Sequence, residues 1–344
     1  MEKYYTEHKG KVIEADGKEF KHVMAITLDP RTNYKEGIAR CIVSREGEVG
    51  VKGFTDRSEL HKIYGESLEK YKIGERLNIK NEEEVIDKLM NEELDFIGLE
   101  DPDIWIDEDT NLMHVYFTIP LISKNKKENN NKSKIHLGHA VGKNLDSLEM
   151  TLPVIMVEND KRAKEISIAP INKQGFRYNL FESKDRSDDI SYSVVKVATV
   201  KDMGKDWEYG ETVFHPKDHN IPWIAGHASP GPLFPKSFID VGEGKLLGII
   251  NGREANQKMP DGQIKYGIFS IGLFIYDYES GVIDWVSPLQ FIQDSEAINI
   301  TFASQFVETG KGEGILYAHV DDSFVRAYTL NAEKIKLLLP TDLR

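Results

Sequence analysis

The sequence predicts an all-β chain with one short helix. Three observations predict it: apolar runs of strand length recur from end to end, Gly-, Asn- and Asp-containing turns separate them, and only one segment carries a helical stripe. No shift in composition marks a linker, so the 344 residues read as a single domain, 1–344.

The polar, mixed-charge opening MEKYYTEHKGKVIEADGKEF lacks a secretory pattern. GIARCIVSREGEVGVKGFT reads as a hairpin around Glu46-Gly47, with Val49 and Val51 alternating after it. NEEEVIDKLMNEEL, Asn81 to Leu94, is the helix. Val85, Ile86, Leu89, Met90 and Leu94 share one stripe, and acids fill the first turn, where the helix dipole favours them. FIGLEDPDIWID then sets Glu100, Asp101, Asp103 and Asp107 around Pro102 inside a strand-like run. IWIDEDTNLMHVYFTIPLI turns at Asp107 to Asn111, and the low-complexity SKNKKENNNKSK, Ser123 to Lys134, reads as a long solvated hairpin loop. KIHLGHAVGKNLDSLEM follows. EISIAPINKQGFRYNLFES turns at Asn172 to Gly175, and ISYSVVKVATVKDMGKDWE returns. KLLGIINGRE, YGIFSIGLFIYDYESGVIDWVS and INITFASQFVETGKGEGILYAHVDDSFVRAYTL complete the strands.

A hairpin, a third strand and a polar group such as KNLDSLE or LNAEKIK recur about five times, each unit roughly as long as a four-stranded blade. The expectation is a five-bladed β-propeller with blades at roughly 20–60, 95–150, 160–215, 225–292 and 300–339. The helix sits in an inter-blade connection, and the N-terminal strands pair with the last blade to close the ring.

Asp and Glu outnumber Lys and Arg by 57 to 44, a net charge of −13 that repels phosphate backbones and anionic membrane surfaces. No nucleic-acid or membrane partner is expected, and no apolar run approaches the ~18 residues of a membrane span. Cys41, the single cysteine, excludes a disulfide framework and a cysteine-rich metal site, and its apolar strand marks it as a buried hydrophobe. A soluble, cytoplasmic protein is the simplest expectation, with oligomerisation open. HPKDHNIPWIAGHASPG gathers His215, His219 and His227, but at no metal-ligand spacing. It reads as a rim loop in which His227 touches substrate and Trp223 offers a face for stacking a sugar. Neither a metal nor a cofactor is expected. GEGKLLG and GKGEGIL lack the lysine of a phosphate-binding loop, and no GxSxG occurs.

Propeller blades point the starts of their inner strands at a common axis. Carboxylates meeting there suit glycoside chemistry, in which one acid donates a proton to the leaving oxygen and another activates water. GLEDPDI has this form, although a Glu-Asp-Pro surface turn is the bland alternative.

The order of segments from about Ala25 to Leu337 resembles glycoside hydrolase family 130, the β-mannoside phosphorylases and hydrolases on a five-bladed propeller. IARCIVSREGEVGVKGFT is similar to the family's tyrosine-arginine-alanine strand, with Arg40 at the arginine. LEDPDIW matches Glu-Asp-Pro-Arg except at Asp103. KEISIAP resembles the lysine segment, with Lys164 and Glu165, GHASPGPLFP the glycine-proline segment, and LYAHVDDSFVRAY the last motif, with Asp322 at the aspartate. The resemblance implies that Asp101 is the general acid and that Arg40 and Asp322 hold the sugar. It also exposes two departures. Asp103 stands for one phosphate-binding arginine, and YNLFESKD puts Phe181 and Glu182 where a histidine-arginine-proline segment is expected. Two cations exchanged for two anions disfavour phosphate, leaving Lys164 paired with its acids and Glu182 or Glu165 as base for a water. The expected function is inverting hydrolysis of a β-mannoside or related oligosaccharide. A β-mannoside phosphorylase and a non-catalytic carbohydrate-binding propeller are the alternatives.

Overall fold

The computed structural model describes residues 4–341 apart from 50, 52, 125–132, 159, 188–189 and 263. The Ser123–Lys134 insert therefore lies largely outside the described residues. The chain is built from antiparallel sheets, each meandering from an inner strand outwards. The first sheet orders His22–Leu28, Glu36–Glu46, Thr55–Ser67 and Lys70–Arg76. The second carries Glu100–Ile106 and Leu94–Phe96 on Met113–Ser123, followed by Lys134–Gly142 and Glu149–Met150. An eight-stranded sheet comes next, and only the parallel pair Ser193–His227 joins its halves. One half starts at Lys164–Ser167 and the other at His227–Leu233. The final sheet runs Thr301–Gly310, Glu313–Val320 and Phe324–Asn331, and Tyr5–Glu14 completes it as the outermost strand. Taking the two halves separately, these make five groups in sequence order.

The middle strands of each group are buried along almost their whole length. Met113–Ser123 has one partly exposed residue in eleven. Such strands read as continuous apolar runs because the sheets stack and cover both faces. The apolar side chains form five clusters, each between successive groups. Val115 and Phe117 meet Ile38 and Leu60, Tyr116 meets Phe181 and Ala198, and Leu180 and Val195 meet Ile250 and Phe274. Leu247 and Ile249 meet Phe306 and Leu316, and Tyr317 and Val325 return to Val23 and Ile63. The order is cyclic, so the sheets stand radially around an axis, as in a propeller.

Polar ties repeat the same cycle at the hub. Ile104 N–H donates to Thr27 Oγ1 (3.0 Å), Lys164 reaches Asp101 (3.2 Å), and Ser167 Oγ donates to Gly231 O (2.5 Å). Asn251 brackets the backbone of Ala303 at 2.8 and 3.0 Å, and Thr27 Oγ1 donates to Gln305 (3.1 Å).

The helix is shorter than its stripe, running Glu82–Leu89. Asn81 adopts a left-handed φ of 65° and Met90 is extended, while Leu94 has passed into a strand. A second helix, Ala332–Lys336, lies where the sequence showed only a polar group. The first hairpin also differs. Val51 lies in the connection between strands rather than in one, and the returning strand starts at Thr55 and ends at Ser67, past the expected boundary near residue 60. The turns at Asp107–Asn111 and Asn172–Gly175 fall where expected. No helix among the described residues is long and apolar enough to cross a membrane.

Candidate active site

Every inner strand breaks register near its start: at Met24/Ile26, Glu100/Asp103, Lys164/Ile166, Pro230/Leu233 and Ala303/Gln305. A bulge turns a side chain out of the ladder. Ala25, Asp101 and Glu165 adopt this with left-handed φ values of 47°, 48° and 48°, a costly backbone for non-glycine residues that clusters at functional sites. All five breaks line one axial cavity, which the carboxyls of Asp101, Asp103 and Glu165 share with Ser167, Ser304 and Gln305.

The approach to Glu100 and Asp101 depends on Gly98. Its φ is 104°, and a Cβ there would lie 1.8 Å from Ser58 O. Only glycine lets the chain pass so close to the first sheet, where Ser58 N–H bonds Ile97 O at 2.9 Å. Beyond it the Arg40 guanidinium divides its donors among Ser58 Oγ (2.8 Å), Asp101 Oδ1 (2.9 Å) and Glu100 Oε1 (2.6 Å). Three of its five N–H donors are used in this way, which makes Arg40 the holder of the acid pair. Asp101 Oδ2 takes the Lys164 ammonium at 3.2 Å, and Lys164 also lies 3.4 Å from Glu165 Oε1.

The carboxyls are not alike. Burial would raise Asp101, but Lys164, Arg40 and a hydrogen bond from Glu165 hold it well below the usual carboxylate range. Burial raises Glu165 well above that range, and the neighbouring Asp101 charge adds to the effect against Lys164. Asp101, whose two oxygens both accept from cations, is the member of the pair driven towards its anion, and Glu165 the member driven towards its acid form. Burial pushes Glu100 up to about 7 despite Arg40. It also pushes Asp103 up to about 7, against the Ile104 N–H and the Thr27 hydroxyl.

Glu182 sits opposite Lys164 in the strand ladder and is completely buried. Burial would raise it, but His227, Arg162 and Lys164 hold it well below the carboxylate range. Its Oε2 accepts from His227 Nε2 at 3.1 Å, which leaves His227 Nδ1 facing the Ser193 hydroxyl at 2.7 Å. Arg162 bonds Ser193 as well. Burial lowers His227 to about 4 in spite of Glu182, so the neutral imidazole acts on Glu182 through its Nε2–H hydrogen bond, and the charges that lower Glu182 are those of Arg162 and Lys164. Arg162 Nε is 3.2 Å from Glu182 Oε1 but poorly aligned, and neither atom makes a hydrogen bond.

Asp322 occupies a hairpin turn at φ 49° and pairs with His319 at 2.9 Å. The three histidines of the rim loop part company: His215 pairs with Asp185 at 3.1 Å, His219 stacks on Phe214 at 4.4 Å, and His227 goes to Glu182. Trp223 is no sugar platform. It is buried against Gly252 and Gly272, with its Nε1–H on Ser287 O at 3.1 Å. Cys41 is buried, as its strand predicts.

Two arginines escaped the sequence reading. Arg162 precedes its strand by two residues, and Arg253 lies opposite His227 in the ladder, 4.5 Å from the Tyr266 ring, with an unpaired Nε. Burial lowers Arg253 to about 10. With protons on Glu165 and partly on Glu100 and Asp103, these cations leave the hub less negative than the sequence implied.

No family model matches the sequence, and no curated protein matches it. Solved structures do match in fold. A β-1,2-mannobiose phosphorylase from Listeria innocua, in complex with β-1,2-mannobiose, is 12% identical over 97% of this chain and 99% of its own, with a TM-score of 0.65. A glycosyl hydrolase from Bacteroides ovatus is 14% identical over 96% and 94%, with a TM-score of 0.64. A mannose phosphorylase from Leishmania mexicana, in complex with a phosphate ion, is 13% identical over 99% and 91%, with a TM-score of 0.53. At these identities the likeness establishes a shared fold, the one expected from the resemblance to family 130.

Proposed function

We propose that the chain is an inverting glycosidase on a five-bladed propeller, cleaving a β-mannoside or related oligosaccharide at the axial cavity. The five strand groups and their cyclic packing support the blade count. One arrangement carries the chemistry: Lys164 lies 3.2 Å from Asp101 and 3.4 Å from Glu165, while Glu182 on the paired strand accepts from His227 at 3.1 Å, and these surroundings drive Glu165 and Glu182 in opposite directions. Such a divergence separates an acid from a base. Glu165 donates the proton to the leaving oxygen, and Asp101 keeps that proton in place until the bond stretches. Glu182, ionised and with Oε1 free of hydrogen bonds, takes the proton of the attacking water. Arg40 and Lys164 fix Asp101 in its anionic form, and His227 and Arg162 fix Glu182.

Phosphorolysis is the second reading. Arg253, buried with an unpaired Nε beside Arg162, favours it, because a guanidinium with free donors suits an oxyanion. Incubation with manno-oligosaccharides, with and without phosphate, separates the two. Free sugar of inverted configuration without phosphate supports hydrolysis; product that appears only with phosphate, as a sugar 1-phosphate, replaces it. Binding without turnover at any pH would remove both.

A further inference from the structure

Asp103 has no part in the mechanism above, yet it lines the same axial cavity as Asp101 and Glu165. The Ile104 N–H and the Thr27 hydroxyl lie against it, that hydroxyl donates to Gln305, and Tyr116 sits opposite it in the ladder. No cation among the described residues forms an ion pair with it, unlike Asp101, Glu100 and Glu182. The cavity holds about 180 Å³ between polar walls of Ser167, Ser304 and Gln305. At roughly 30 Å³ each, several waters fit.

Each turnover strips Glu165 of its proton and leaves two carboxylates side by side, with Lys164 and Arg40 already committed. That state cannot begin another cycle. We propose that Asp103 reloads Glu165 between turnovers, through water in the axial cavity. The Asp103 carboxylic acid gives its proton to a cavity water, which passes one of its own to the Glu165 carboxylate. Asp103, now the anion, recovers a proton from solvent, and Glu182 releases to solvent the proton it took from the attacking water. Its burial holds it protonated near neutrality, which is what a donor in this position requires. The inference rests on the glycosidase reading and adds to it a residue that acts through Glu165.

The experiment compares first and later turnovers of labelled manno-oligosaccharides by rapid quench, for the wild type and for Asp103→Asn. The variant completes its first turnover at the wild-type rate and then slows roughly 100-fold, the low end of what a positioned proton-transfer group contributes. KM stays the same, and the slow phase worsens as pH rises. Added formate, or Asp103→Glu, restores the later turnovers. Equal slowing of first and later turnovers, or a variant that matches the wild type, overturns the relay while leaving the glycosidase reading intact. Equal loss in Asp103→Asn and Asp103→Glu makes Asp103 structural and also overturns it. A wild type idle on every manno-oligosaccharide, with or without phosphate, removes the glycosidase reading and the relay together.

Discussion

Replacing Arg40 by methionine tests whether the buried acids at the hub depend on its guanidinium. Arg40 and its partners are nearly sealed from water, with side-chain exposures of 8% for Arg40, 11% for Glu100 and 4% for Asp101. Removing one member of a buried pair costs about 3–5 kcal/mol, because the remaining charge is stranded. Unfolding entropy of about 2.1 cal/mol/K per residue over 344 residues is roughly 0.7 kcal/mol/K, so the expected fall in Tm is about 4–7 °C. The fall depends on pH. Glu100 already has a raised folded pKa of about 7, so in the wild type its contribution to stability is lost as pH rises from the unfolded value towards 7. Asp101 is lowered, so its contribution is present above the unfolded value and lost in acid. Without Arg40 both acids move upwards. At pH 5 Glu100 is simply protonated and the variant loses little, whereas at pH 8 two carboxylates share Lys164 alone. Thermal melts at the two pH values read the difference. The same Tm loss at pH 5 and pH 8, or none at pH 8, would refute the reasoning.

Glu165→Gln keeps the shape of the proposed donor and loses its proton. The turnover rate should fall about 10²–10⁴-fold, with substrate affinity by calorimetry unchanged, and unaltered turnover would return the acid role to Asp101. In the wild type, activity should persist in mild acid, since Glu182 stays ionised there, and should decline as alkaline pH strips Glu165; a rate that climbs through that range contradicts the assignment. Gly98→Ala should lower stability by about 1–3 kcal/mol and depress activity with it, because the added carbon must push the chain off Ser58 O. An unchanged melting curve counts against that contact.

Much of this was legible in the residues, and the divide follows distance along the chain. Local chemistry announced the hairpin turns at Asp107–Asn111 and Asn172–Gly175, and the Glu-Asp-Pro run singled out the acid pair. The helix was overextended because apolar periodicity persists to Leu94, while the backbone has already turned at Met90. Protonation states could not be read. Asp101 and Glu165 lie 64 positions apart, and which of them is ionised depends on Arg40 from the first sheet and on Lys164, which reaches Asp101 from the strand that carries Glu165. Arg162 and Arg253 carried no signal at all. Arg162 sits ahead of its strand among charges that resemble surface residues, and Arg253 gains its setting only from the pairing with His227–Leu233. Trp223 shows the opposite error: a rim-like loop sequence suggested a platform, but two glycines across the sheet leave a slot that the indole fills.

The outermost strand of the last sheet comes from the other end of the chain, and this orders events in time. Tyr5–Glu14 has no partner until Phe324–Asn331 has been made, and pairs such as Tyr5 with Leu330 then span over three hundred positions. Closing so long a loop is slow, because its entropy cost precedes any gain in contacts. Until then the first and last sheets each present an uncovered side, and the apolar cluster between them has no second wall. Arg326, which grips the backbone carbonyls of His8 and Lys9 at 2.9 and 3.2 Å, fastens this seam after every other sheet can already have formed. Until Tyr5–Glu14 and Phe324–Asn331 pair, the sheets between them form an open arc, and the ring closes only with that seam.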